Sequence, residues 1–79
     1  MKTGMLWYDD DKKRSLADRV RRAAKYYSEK YNRVAQLCYV HPDMLTEKDL
    51  VVDGVRVMKS RTVLPNHFWL GVEEQETRP

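Results

Sequence analysis

One segment of this chain, Ser15 to Asn32, has its apolar residues at helical spacing, while the remaining apolar runs are short and shaped for strands. Leu16, Val20, Ala23, Ala24, Tyr27 and Tyr31 recur at steps of three and four, which places them on one stripe of a helix. Ser15 stands just before that stripe with Asp18 three residues on, an N-terminal capping pair. Asn32 tolerates the left-handed backbone that ends a helix. Asp18 and Arg22 are spaced for an ion pair across one helical turn. A single helix must therefore serve whatever sheet the rest of the chain forms.

The strand signals lie on both sides of it. Met5 to Tyr8 is a run of large residues stopped by Asp9, Asp10 and Asp11. Val34 to Val40 is apolar apart from Gln36, as an interior strand would be. His41-Pro42 ends that run, and Pro42 to Leu45 is suited to one helical turn. Leu50 to Val52 and Val55 to Val57 flank Asp53-Gly54, the dipeptide of a two-residue hairpin whose central positions both need positive φ. Leu64-Pro65-Asn66 reads as a turn, and His67 to Val72 as a last strand with Phe68, Leu70 and Val72 on one face and Trp69 on the other.

The order is strand, helix, strand, hairpin, strand. This predicts a two-layer α+β domain over residues 1–72, one long amphipathic helix packed on a mixed sheet of about four strands, with a polar tail at 73–79. A strand, a crossover helix and a second strand further predict that the first two strands pair in parallel. The segments Tyr39–Leu45, Asp53–Val57 and Leu64–Gly71 resemble a strand-hairpin-strand portion of tailed-phage major capsid proteins in their turn residues and β patterning. The resemblance spans about half the chain and implies shared local topology, not a family.

A chain of 79 residues buries a thin core, about 60% of the surface that its unfolded form exposes. The strands offer large apolar residues of both parities: Leu6 and Tyr8 against Met5 and Trp7, Leu37 and Tyr39 against Cys38 and Val40, Phe68 and Leu70 against Trp69. One helix shields one face. The other face is expected to meet a second copy or another protein, with Trp7 and Trp69 as aromatic anchors, unless the 42–53 loop and the tail fold over it. The function expected is that of a small non-enzymatic interaction module that self-associates.

Charge supplies a second reading. Net charge is +3, yet Lys12 to Arg33 holds nine Lys or Arg against Asp18 and Glu29, a local +7. Arg19, Arg22, Tyr26 and Lys30 are spaced to form one exposed ridge that could contact phosphates and stack a base, the pattern of a nucleic-acid-binding module. A third reading is a divalent-metal enzyme. Asp9, Asp10 and Asp11 follow the first strand, and His41 and Asp43 follow the next, so parallel neighbours would bring both groups to one sheet edge where Mg²⁺ could take carboxylate oxygens.

Other chemistry lacks its residues. Val57 stands where the common metal-nuclease pattern places an acid before Lys59, and Gly4, Gly54 and Gly71 stand alone rather than in a phosphate loop. One cysteine and two histidines do not complete a four-ligand zinc site, and no cofactor signature is present. Cys38, alone in an apolar run, reads as a small buried hydrophobe in a reducing compartment. No window approaches the roughly 20 apolar residues of a membrane span, and a cytoplasmic setting is expected.

Overall fold

Ser15 and Asn32 bound the helix as their chemistry requires. In the computed structural model, which describes residues 4–46 and 50–72, α1 runs Leu16–Tyr31, and the Ser15 hydroxyl accepts from the Asp18 amide at 3.1 Å. At the other end Asn32 adopts φ 58°, ψ 37° and donates its amide to the Ser28 carbonyl. The pair expected between Asp18 and Arg22 is replaced by Arg21, whose guanidinium bridges Asp18 at 2.7 Å and Asp53 at 3.1 Å. Three residues apart on a helix is as close as four, and only Arg21 also reaches the second acid. Val20, Ala23 and Tyr27 are the buried stripe.

Five strands form one sheet: β1 Met5–Tyr8, β2 Leu37–Val40, β3 Leu50–Val52, β4 Val55–Lys59 and β5 His67–Gly71. A 3₁₀ turn, Pro42–Met44, follows β2, and His41 caps it by accepting from the Asp43 amide at 3.1 Å. The Asp53-Gly54 turn has φ 50° and 84°, the two positive angles that a tight hairpin needs. Five strands stand where about four were expected, since the hairpin contributes two full members. The run from Val34 enters the ladder only at Leu37, and Val34 itself is exposed.

The strand order β1-β5-β2-β4-β3 corrects the expected neighbours. β1 and β2 point the same way but do not pair, because β5 lies antiparallel between them, with Trp69 opposite both Leu6 and Tyr39. The parallel pair is instead β2 with β4. Strand β5 has bulky apolar residues of both parities, so an interior position suits it, and insertion gives both neighbours the perpendicular bonds of an antiparallel ladder.

Alternation along these registers assigns the faces. Met5, Phe68, Leu70, Cys38, Val40 and Val57 point at α1 and form the core, joined by Leu45 after the 3₁₀ turn. Phe68 and Leu70 are 0% exposed. Burial pushes the Cys38 thiol up from 9.0 to about 12, as expected of a thiol kept from water and out of chemistry.

Candidate interaction surface

The opposite face of the sheet has no second layer among the described residues. Leu6 is 61% exposed and Tyr8 57%, on a strand whose alternate residue Met5 is buried. Trp69 lies beside them, half-buried, with its indole over Gly4: a Cβ there would overlap the ring, so only glycine lets the tryptophan lie flat along the strand. Tyr39 stands next to Trp69 on the same face, ring centroids 6.2 Å apart, and Tyr8 next to His67 at 4.9 Å. Of the 42–53 loop, the described part does not cross to this side, since Leu45 joins the helix-side core. Residues 47–49 and the 73–79 tail lie outside the described residues.

A groove of about 590 Å³ opens on this face, walled by Leu6, Tyr39, Trp69 and His67 and closed at one end by Ser60 to Leu64. Its polar end is self-contained. The Ser60 and Thr62 hydroxyls bond each other at 2.7 Å, and His67 Nδ1 lies 2.9 Å from the Pro65 carbonyl. A carbonyl only accepts, so Nδ1 is the donor. The groove thus offers aromatic and aliphatic walls with a few polar groups, most of them at one end. The sequence reading did not find Tyr39, His67 and Leu64 as companions of Trp69. Their signal was the parity of the strands, which becomes legible only once the helix-facing set is known.

Trp7 and Trp69 emerge on opposite faces. Trp7 points to the helix side and stacks on Tyr26, ring centroids 4.8 Å apart, so one continuous patch holds Trp69 but not Trp7. The basic ridge is also divided. Arg19 turns inward, its Nη1 reaching the Asp9 carbonyl at 3.4 Å and Asn66 Oδ1 at 3.5 Å, with its guanidinium 5.9 Å from the Phe68 ring centroid. Arg22 and Lys30 remain outside with Tyr26, without ion-pair partners among the described residues. Trp7 Nε1, Asp9 Oδ2 and Arg19 Nε are buried at this corner without a hydrogen-bond partner. Each such group costs about 1–3 kcal/mol, so this is where the fold gives up stability.

The acids after β1 are engaged with their own turn. Asp9 Oδ1 accepts from the Asp11 amide at 3.0 Å, Asp11 pairs with Arg14 at 3.2 Å, and Asp10 accepts from the Tyr8 hydroxyl at 3.0 Å. That last bond is the main reason the Tyr8 phenol is raised above its usual value, followed by slight desolvation and the charge of Asp10. His41 and Asp43 sit at the same end of the sheet, but β5 separates them from Asp9 to Asp11. Among the described residues no three His, Cys, Asp or Glu gather into a group able to hold a metal ion. No helix among them is long and apolar enough to cross a membrane. Comparison with family models, with curated proteins and with solved structures finds no match for the chain.

Proposed function

We propose that this protein is a non-enzymatic interaction module that self-associates through the open face of its sheet. The observation that carries the reading is the contrast on β1, where Met5 is buried under the helix while Leu6 and Tyr8 stand exposed beside the Trp69 groove. Apolar groups left in water on a contiguous surface are the usual mark of a contact site. Arg56 is the one fully charged side chain that alternation places on this face of the strands, so a highly charged partner finds little to pair with. A like surface fits better, and a two-fold arrangement sets one patch against its own copy.

Sedimentation velocity across micromolar concentrations tests this. A dimer is expected, and Leu6→Arg, which alters an exposed side chain, is expected to drive it to monomer with the helix signal unchanged. A strict monomer at every concentration overturns the reading.

A further inference from the structure

We infer that the outer edge of β1, unpaired among the described residues, is a docking strand for an extended acidic peptide, which adds to the sheet as a sixth strand. The inference goes beyond self-association: its main-chain contacts lie along the sheet edge under the helix flank, and only its apolar side chains reach the Leu6 and Tyr8 side of the open face.

The backbone geometry comes first. The Asp9 amide donates to the Asn66 carbonyl at 2.9 Å, which makes Asp9 and Asn66 a hydrogen-bonded pair. Such pairs alternate along an antiparallel ladder, so Met5 and Trp7 also direct their backbone groups to β5. Leu6 and Tyr8 direct theirs away from the sheet, and β1 is the outermost strand on that side. Edge strands are commonly guarded by proline, by charge or by shortness. Met5–Tyr8 contains neither proline nor a charged residue. The opposite edge is blunted instead: β3 has three residues, and the same alternation leaves only Val51 directed outward.

Charge then selects the occupant. Arg19 and Tyr26 meet this edge of the sheet from the helix side, through the Asp9 carbonyl and the Trp7 ring. Arg22, one turn from each of them, flanks the same edge, while Lys30, one turn beyond Tyr26, has its Nζ 5.5 Å from the centroid of the Tyr31 ring. The neighbouring acids do not cancel this charge, because Asp9, Asp10 and Asp11 are bonded within their own turn and balanced by Lys12, Lys13 and Arg14. A second β1 laid along this edge would set Arg22 against Arg22. A carboxylate opposite Trp7 meets the ridge with the opposite sign, while residues opposite Leu6 and Tyr8 project over the open apolar face. The peptide therefore alternates acidic and apolar side chains, with main-chain bonds supplying affinity and alternate side chains specificity.

The test is fluorescence polarisation of a labelled peptide alternating Glu and Val. Saturable binding is expected, falling as salt rises and roughly tenfold weaker with Arg22→Glu, a solvent-exposed site where reversal leaves the fold intact. Laid antiparallel to β1, the peptide sets its Val amides opposite Leu6 and Tyr8 and pointing at β1, so N-methylation of Val abolishes binding while N-methylation of Glu spares it. Absence of binding overturns the inference, as do equal effects of the two methylation patterns. Binding of an oligothymidylate instead of the peptide, with the same sensitivity to Arg22→Glu, also overturns it. Sedimentation of the same samples separates the two readings: a dimer that ignores the peptide sinks only this inference, and a monomer that binds it sinks only self-association.

Discussion

The two faces of the sheet are made from the same three to five residues per strand, yet they live in different solvents. On the helix side Phe68, Leu70, Cys38 and Val40 are each 0% exposed, while across the backbone Leu6 and Tyr8 keep more than half of their surface in water. Hydrophobic type alone therefore does not decide burial; the parity that the helix covers decides most of it, with Leu37 on the other parity buried as well. The covered face holds the domain together, and the open face meets solvent along β1.

That contrast can be broken by mutation. Phe68→Ala is expected to cost about 3–5 kcal/mol in urea unfolding, because the ring is enclosed and a thin core cannot collapse around the void. Leu6→Ser, one strand away on the open side, is expected to change monomer stability by less than about 0.5 kcal/mol. Comparable losses from the two would mean that the open face is packed in solution by the monomer itself.

Next in size are the local devices that place the layers. Gly54→Ala puts a side chain at φ 84° in the hairpin and is expected to cost about 1–2 kcal/mol in the same assay. Ser15→Ala removes the acceptor for the Asp18 amide and is expected to cost about 1 kcal/mol. A cap loss that left the helix signal and stability unchanged would show that burial of Val20 and Tyr27 alone fixes the helix end.

A last effect, one of pH, sharpens the picture of the covered face. The Cys38 thiol ionises near 9.0 when exposed by unfolding and near 12 when folded, so the folded state favours the neutral form. Its stabilising effect is complete below pH 9 and is lost as pH climbs through the interval to 12. Thermal melts should therefore fall over that range, with part of the slope absent in Cys38→Ala. A thiol reagent that labels Cys38 in the native protein at neutral pH would contradict its burial.

Much of this architecture was legible in the residues wherever the determinant is local. The helix ends follow from Ser15 and Asn32, and the hairpin from Asp53-Gly54, because a capping oxygen or a positive φ acts within a few residues. The strand order was not legible. Whether β1 pairs with β2 or β5 is a competition between distant segments, and a run such as Val34–Val40 has no internal mark for where a partner begins. The faces failed for a related reason: with Trp7 and Tyr8 both bulky, nothing in β1 says which one the helix will take. Arg19 reads as one more basic residue of the ridge until Asn66, far along the chain, bends at φ 65° to meet it.

The position of β5 has a consequence for how the chain acquires its shape. The strand nearest the C-terminal end of the described residues lies in the interior of the sheet, so among these residues β1 has no ladder partner until His67 to Leu70 have joined, about sixty residues later in the chain. During synthesis the growing polypeptide can nucleate the helix and the hairpin, but β1 must wait. Closure of so long a loop makes folding slow for the domain's size and holds it back until β5 has been made. A polypeptide cut before His67 loses the ladders on both sides of β5 at once, so truncation there should abolish the native state rather than weaken it.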